Sequence, residues 1–310
     1  MPFSDHIKRW WTYQRERFPF IKHGPVVAAF SFSAVSYSAL LRGGSLHWPA
    51  VLAALISALL FFLLLRISDE FKDAEEDARF RPYRPVPRGL IQLRELGWVG
   101  LAAMCIQLVL AVLLFWPLAL LLLVVWLYLA LMNQEFFVAG WLKQHPVVYL
   151  LSHMLIMPLI DLYATAWDWW WSGAALWVEP PAGLHWFLVL SFLNGLVIEL
   201  GRKIRLPEDE EEGVETYSAL WGYRFAAGVW LVLVWMAAVC AWLAAISIGF
   251  AWPMVGVLSI LVLLVSGQVG LFVRQKTRVS GQRVELLSGV WTLLVYLSLG
   301  TLPWFLLPPA

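Results

Sequence analysis

The sequence predicts an all-α membrane protein, a bundle of about nine transmembrane helices, and three observations lead there. Composition is the first: 61% hydrophobic and 14% charged residues in a chain of 310 leave too little polar surface to cover a water-soluble globule. Patterning is the second, because the apolar runs are continuous and lack the period-two alternation of barrel strands. Length is the third. A hydrocarbon core about 30 Å thick takes about 20 apolar residues in a helix, and the chain offers such stretches at 25–42, 49–67, 96–115, 117–133, 147–166, 184–201, 225–246, 252–273 and 286–307.

Residues 1–24 precede the first span. HIKRWWTYQRERF, residues 6–18, reads as an amphipathic interfacial helix, with Trp10, Trp11 and Phe18 at the headgroup level and the interleaved Lys and Arg suited to anionic lipid. No short apolar segment with a small-residue cleavage site occurs there, so no cleaved signal is expected. Residues 25–310 read as one nine-helix transmembrane domain, with no soluble domain or linker. Nucleic-acid binding by the basic and aromatic N-terminal segment is not expected, because it abuts a membrane span. Cys105 and Cys240 fall inside apolar spans, where they read as packing residues.

Charge placement orients the bundle. Of 22 Lys and Arg residues, only Arg42 falls on one face of a nine-helix chain; the rest precede span one or follow spans two, four, six and eight. The positive-inside rule then puts the N-terminus and the even-numbered loops in the cytoplasm, in an inner or plasma membrane.

Two of those loops carry chemistry. The first reads Asp69-x₃-Asp73-x₃-Asp77, a four-residue spacing that stacks three carboxylates on one helical face at the membrane boundary. Such a face accepts its own repulsion when a cation sits against it, and oxygen-rich clusters suit Mg²⁺ bridged to phosphate. The competing reading is a solvated helix end, with Lys72, Arg79 and Arg81 as ion-pair partners. Next comes Arg81-Pro82-Tyr83-Arg84-Pro85-Val86-Pro87-Arg88-Gly89, where prolines stiffen the backbone that carries Arg81, Arg84 and Arg88. Guanidinium forks match phosphate oxygens, so the two segments read either as a diphosphate clamp with bridging metal or as a proline-stiffened loop whose arginines face lipid headgroups.

The second loop starts inside span six. Glu199 is an ionisable group near the end of an apolar helix, with Arg202 and Lys203 three and four residues on. A buried ion pair and a working site are both open readings of this trio. The acidic run Glu208–Glu212 reads as solvated surface, with Asp209 as the exception considered below.

With these motifs in view the chain resembles the UbiA superfamily of intramembrane prenyltransferases, a group that also includes terpene cyclases. Asp69-x₃-Asp73-x₃-Asp77 followed by RPYRPVPRG is similar to the family's first aspartate motif, with Asp69 where Asn is usual. EEEGVETYSALWG resembles the stretch closing its second motif, and Lys143 sits where the family has a phosphate-binding lysine, although the usual tyrosine four residues earlier is Ala139 here. The second motif departs from Asp-x₃-Asp. Reading backwards from Gly213 puts Arg205 and Asp209 on its two positions, whereas reading forwards through span six puts Glu199 and Lys203 there.

The resemblance implies Mg²⁺ held by Asp69, Asp73 and Asp77 with Glu199 or Asp209, and a diphosphate held by Arg81, Arg84, Arg88, Lys143, Arg202 and Lys203. The expected partners are the lipid bilayer and an isoprenyl diphosphate substrate, ionised and passed to an aromatic or other small-molecule acceptor, its tail extending among the helices or towards lipid. A terpene cyclase of the same fold, in which a double bond of the substrate itself attacks the cation, is the alternative; a small-molecule transporter is a third class. Aromatic faces would shelter the cation, while Trp167, Trp169, Trp170, Trp171 and Trp177 read as outer interfacial anchors. His153 and Asp161, eight residues apart in span five, are candidates to assist acceptor deprotonation or to hydrogen-bond another helix.

Overall fold

In the computed structural model residues 3–170, 179–210, 215–275 and 277–307 are described, and their regular structure is helical. The order is α1 (Phe3–Arg17), α2 (Phe20–Leu41), α3 (Trp48–Lys72), α4 (Ala74–Phe80), α5 (Leu93–Phe115), α6 (Leu118–Asn133), a 3₁₀ turn (Glu135–Phe137), α7 (Ala139–Gln144), α8 (Pro146–Met154), α9 (Ile156–Trp169), α10 (Leu184–Arg202), a 3₁₀ turn (Pro207–Asp209), α11 (Tyr217–Trp221), α12 (Tyr223–Ser247), α13 (Ala251–Gln275), α14 (Arg278–Gly300) and α15 (Pro303–Leu306).

Among the described residues eight helices are long and apolar enough to cross a membrane, with α8 and α9 counting as one span. The ninth expected span is α6, whose 16 residues rise about 24 Å, short of a full bilayer core. Neighbours follow one another round a collapsed ring from α2 through α3, α5, α6, α9, α10, α12 and α13 to α14, which closes against α2. Lipid tails are as apolar as leucine, so burial of apolar area does not choose the interfaces; small residues and close backbones do. Ser31, Ser33, Ser36 and Ser38 of α2 are all fully buried, and a Cβ on Gly300 of α14 would stand 2.5 Å from the Cα of Ser33. A Cβ on Gly201 of α10 would meet Ser288 Oγ of α14 at 1.9 Å, so the end of α10 that carries Glu199 and Arg202 lies directly on α14. Large apolar side chains such as Leu113, Leu127, Val232 and Leu263 point outward.

Several expected boundaries move. Span two continues as helix to Lys72, which places Asp69 on the transmembrane helix itself. Span five bends at Leu155, between α8 and α9, and then runs on to Trp169. The final span begins at Arg278 and ends at Gly300, several residues earlier than expected. This extension of α9 changes the tryptophans: Trp167, Trp169 and Trp170 are buried in the core instead of anchoring at the outer interface, and Trp171 and Trp177 lie outside the described residues. Cys240 is buried as expected, but Cys105 faces outward from α5. Phe18 is buried as well, at 5.2 Å from Phe20 and 5.7 Å from His23, while Trp11 of α1 stays exposed.

At the end of the bundle opposite the motif loops, Arg42 and Asp168 form a bidentate pair at 2.7 and 2.9 Å, and Ser38 donates to the same carboxylate. The lone basic residue of that face is thereby neutralised by a fully buried acid and ties α2 to α9.

Candidate active site at the acidic end of the bundle

The motif helices meet where α3 ends. The backbone N–H groups of Asp73, Asp77 and Arg81 donate in turn to the carbonyls of Asp69, Asp73 and Asp77, so the i to i+4 ladder runs through the break between α3 and α4. Asp73 itself has φ −92° and ψ 8°, which tilts α4 off the α3 axis. That tilt divides the acidic face in two. Asp69 is 53% exposed, with Arg66 at 3.4 Å, and Asp73 has no side-chain hydrogen bond or ion pair among the described residues. Asp77 is buried.

The Asp77 carboxylate is held by three guanidinium groups. Arg81 Nη1 donates to Oδ1 at 2.7 Å, Arg84 Nη1 reaches both oxygens at 2.7 and 2.6 Å, and Arg17 Nη2 lies 3.7 Å away. Burial pushes this carboxyl upward, but the hydrogen bonds from Arg84 and Arg81 and the charges of Arg84 and Arg17 outweigh it and hold Asp77 below the usual carboxylate range. The rigid Arg-Pro segment thus closes on the third aspartate of its own motif. Arg88 instead pairs with Glu16 of α1 at 3.0 Å. A cleft of about 520 Å³ lies between α1 and this loop, lined by Glu16, Arg17, Tyr83, Arg84, Pro85 and Arg88.

Helix α1 is docked on the motif by more than this cleft. Arg17 donates to the buried Glu70, the neighbour of Asp69, and Arg9 donates through Nη2 to both Glu95 oxygens at 2.8 and 3.1 Å and through Nε to the Leu90 carbonyl. Tyr13 packs with Ile67, Ile91 and Leu96, and burial together with the nearby Glu70 pushes its hydroxyl up.

Across the site stands the end of α10. Glu199 accepts from Arg202 at 2.6 Å and lies 3.2 Å from Lys203, whose ammonium is 5.6 Å from the Tyr217 ring of α11. Burial first, and then the Glu199 charge, push the Tyr217 hydroxyl up. Asp69 is close enough to Arg202 and Lys72 to feel both charges. The structure therefore sets Arg202 close enough to Asp69 for their charges to interact across one mouth, with Glu199 and Lys203 beside Arg202 and Asp73 one turn on from Asp69. Arg205 faces a separate cleft of about 280 Å³ with Glu210 and Tyr223, and Asp209 ends the 3₁₀ turn beside it. Glu211, Glu212 and Gly213 of the second motif lie outside the described residues.

Lys143 is exposed on α7, and no partner to it exists among the described residues. His153 and Asp161 part company at the Leu155 bend. His153 stacks on Tyr149 at 3.9 Å and lies 3.4 Å from Lys72 Nζ; Asp161 is fully buried and accepts from Tyr296 of α14 at 3.0 Å. Tyr296 in turn packs edge-on against Phe30 and Phe187, at 5.4 and 5.5 Å, near the middle of the bundle.

Three participants at the mouth were not singled out by sequence reasoning. Lys72 figured there only as an ion-pair partner, yet it lies 3.0 Å from Glu135 and donates to the Tyr149 hydroxyl. Glu135, Phe136 and Phe137 take φ of 46°, 54° and 60°, three successive non-glycine residues in the left-handed region, each costing about 1–3 kcal/mol. A lone Glu between two apolar segments was the available signal for Glu135; Tyr149 had none.

Among the described residues no three His, Cys, Asp or Glu side chains converge as a ready metal cage. Asp69 and Asp73 nonetheless offer open carboxylate oxygens one helical turn apart, a donor set that fits Mg²⁺, which takes one or two carboxylates and completes its shell with water and substrate phosphate.

The comparisons with known proteins agree with this architecture. A model of the UbiA prenyltransferase family matches residues 29–294. Among solved structures, one of a digeranylgeranylglyceryl phosphate synthase in membranes superposes with a TM-score of 0.60 at 15% identity, covering 93% of this chain and 97% of that one. An apo UbiA homolog from Aeropyrum pernix K1 superposes with a TM-score of 0.66 at 13% identity, covering 87% of this chain and 96% of the other. At such identities the likeness is one of fold. No curated protein sequence matches.

Proposed function

We propose, because this chain belongs to the UbiA prenyltransferase family, that it ionises an isoprenyl diphosphate at the Asp69–Asp73 mouth and transfers the prenyl group to an acceptor. The observation that carries the reading is that Asp69, near the end of α3, with Asp73 one turn further on, stands close enough to Arg202, at the end of α10, for their charges to interact. In this reaction the C1–O bond of the substrate breaks, its electron pair leaves with the diphosphate, a nucleophilic atom of the acceptor bonds to C1, and the acceptor gives up a proton. Bound Mg²⁺, held by Asp69 and Asp73 with Glu199 opposite, would supply charge neutralisation to the leaving group. Arg202 and Lys203 bind the phosphate oxygens from the other wall. Their present partner, Glu199, holds the guanidinium at 2.6 Å and the ammonium at 3.2 Å beside the mouth.

Asp77, Arg81, Arg84 and Arg88 act by holding the motif's shape. The apolar bundle excludes water from the allylic cation, and the prenyl tail extends among the helices. Loss of the second carboxylate from the second motif favours the register in which Glu199 works, since Glu199 stands at the mouth while Arg205 faces the neighbouring cleft. The one-sided Lys and Arg distribution supports a cytoplasmic mouth, and the exposed Trp11 beside the docked face of α1 supports an interfacial helix over residues 1–24.

A cyclase is the second reading. Supporting it is the aromatic group of Phe30, Phe187 and Tyr296 in the bundle centre, whose faces and edges suit a migrating cation. The experiment that separates the two is incubation of purified protein with Mg²⁺ and geranyl, farnesyl or geranylgeranyl diphosphate, without acceptor, followed by mass spectrometry of organic extracts. Substrate consumption only after an acceptor is added supports transfer. A cyclic hydrocarbon formed without acceptor supports the cyclase, and consumption of no prenyl diphosphate under either condition overturns both.

A further inference from the structure

Lys72 sits in the sequence between Asp69 and Asp73, yet its side chain turns towards α8 and the Glu135 turn. Its ammonium donates to the Tyr149 hydroxyl, lies 3.0 Å from Glu135 Oε1 and 3.4 Å from His153 Nε2, and is 4.7 Å from the Tyr149 ring centroid. Glu135 reaches this place only through the left-handed backbone of residues 135–137. Strain of that kind persists where the surroundings over-determine it, and it gathers at functional sites.

The seat is also incompletely satisfied. Glu135 Oε2 is buried and has no hydrogen-bond partner among the described residues, so half of the carboxylate that receives Lys72 is unused. An ion pair meant only for stability would be expected to satisfy both oxygens. Meanwhile Lys143, the other lysine considered for the phosphate, is exposed on α7 and without a partner among the described residues, whereas Lys72 stands close enough to Asp69 for the two charges to interact.

We propose that Lys72 is the lysine that grips the diphosphate in this protein, resting on Glu135 and Tyr149 when the site is empty and moving to the phosphate oxygens when substrate enters. This rests on the prenyl diphosphate reading above. The four-carbon stem of lysine lets the ammonium travel while α3 stays fixed, which arginine's rigid fork would do less well. Lys72 starts from a site whose charges already reach it: Asp69 feels Lys72, and Tyr149 feels Asp73. Glu135 then acts as a competitor for Lys72, and the strained turn holds that competitor at a fixed distance.

The test is calorimetric binding of inorganic pyrophosphate to the purified full-length protein at constant ionic strength, with and without Mg²⁺. Lys72→Met is expected to weaken binding at least tenfold, Lys72→Arg to retain part of it, and Lys143→Met to stay within about twofold of the parent. Glu135→Gln, which releases Lys72, is expected to tighten Mg²⁺-free binding a few-fold. Because Glu135→Gln also removes a negative charge, the deciding comparison is Glu135→Gln/Lys72→Met, which removes both partners of the pair: the gain is expected to vanish there, and its persistence overturns the inference. Unchanged affinity in Lys72→Met, or a tenfold loss in Lys143→Met instead, overturns the inference alone; absence of pyrophosphate binding by the parent protein in Mg²⁺ overturns the diphosphate reading and this inference together.

Discussion

Arg17 donates to Glu70 across the junction of α1 and α3, with 9% and 1% of the two side chains exposed, and the same guanidinium lies 3.7 Å from Asp77. One residue of α1 therefore holds both of the buried carboxylates that bracket Asp73. Helix α1 precedes the stretch matched by the family, residues 29–294, so this support of the first aspartate motif comes from outside it.

Arg17→Met should destabilise the protein by about 3 kcal/mol, because a buried carboxylate loses its partner while Arg66 remains at 3.6 Å from Glu70 as an incomplete substitute. Thermal unfolding in detergent checks this. Arg17→Lys should recover part of the loss, and a Met variant as stable as the parent would show that the clasp contributes nothing.

Asp73→Asn and Asp77→Asn should fail in different ways. Asp73 has no side-chain partner among the described residues, so its amide variant should fold normally and lose diphosphate release. Asp77→Asn removes the charge that three guanidinium groups share, and it should lower stability by about 3 kcal/mol and raise the Mg²⁺ requirement only through the loosened motif. Near-parental turnover in Asp73→Asn at saturating Mg²⁺ would remove Asp73 from the site.

Asp77 also sets a pH dependence. Its pKa is depressed in the folded protein, so its contribution is fully present above the unfolded value, about 3.9, and is lost as pH falls through the lower folded value. Acid unfolding of the parent protein should accordingly steepen below about pH 4, and Asp77→Asn should flatten that limb. Parallel curves for the two proteins would contradict the assignment.

The two registers of the second motif predict opposite orders of effect. With Glu199 at the mouth, Glu199→Gln should raise the Mg²⁺ requirement of diphosphate release severalfold while Asp209→Asn changes it little. Kinetic titration with Mg²⁺ reads both. Should Asp209→Asn prove the more damaging, the gapless register is correct and Glu199 is a structural partner of Arg202.

Orientation can be read with cysteine labels in a variant lacking Cys105 and Cys240. Cysteine placed at Ser45, exposed beside Arg42, should react with an impermeant reagent outside intact cells, and cysteine placed at the exposed Glu208 should not. The reverse pattern would put the mouth outside.

Sequence alone determined that this chain is an all-helical membrane bundle of about nine apolar helices, and which loops carry its carboxylates and arginines. Those features are written in consecutive residues: apolar length sets a span, and a four-residue spacing sets a helical face. It also led to Glu199, because a charge at the end of an apolar helix is costly without a function or a partner. What only the tertiary structure decided is which of the spaced groups are open. The spacing of Asp69, Asp73 and Asp77 is uniform, but the α3–α4 tilt turns the third into the grip of Arg17, Arg81 and Arg84, and Arg17 lies 60 positions away in the chain. Lys72 reads as one more charge on an acidic helix until α8 and the left-handed Glu135 turn fold against it. A side chain's partners depend on segments distant in sequence, and local pattern carries no information about distances between them; the same physical reason sent Trp167 inward with α9 when its sequence neighbours suggested a membrane surface.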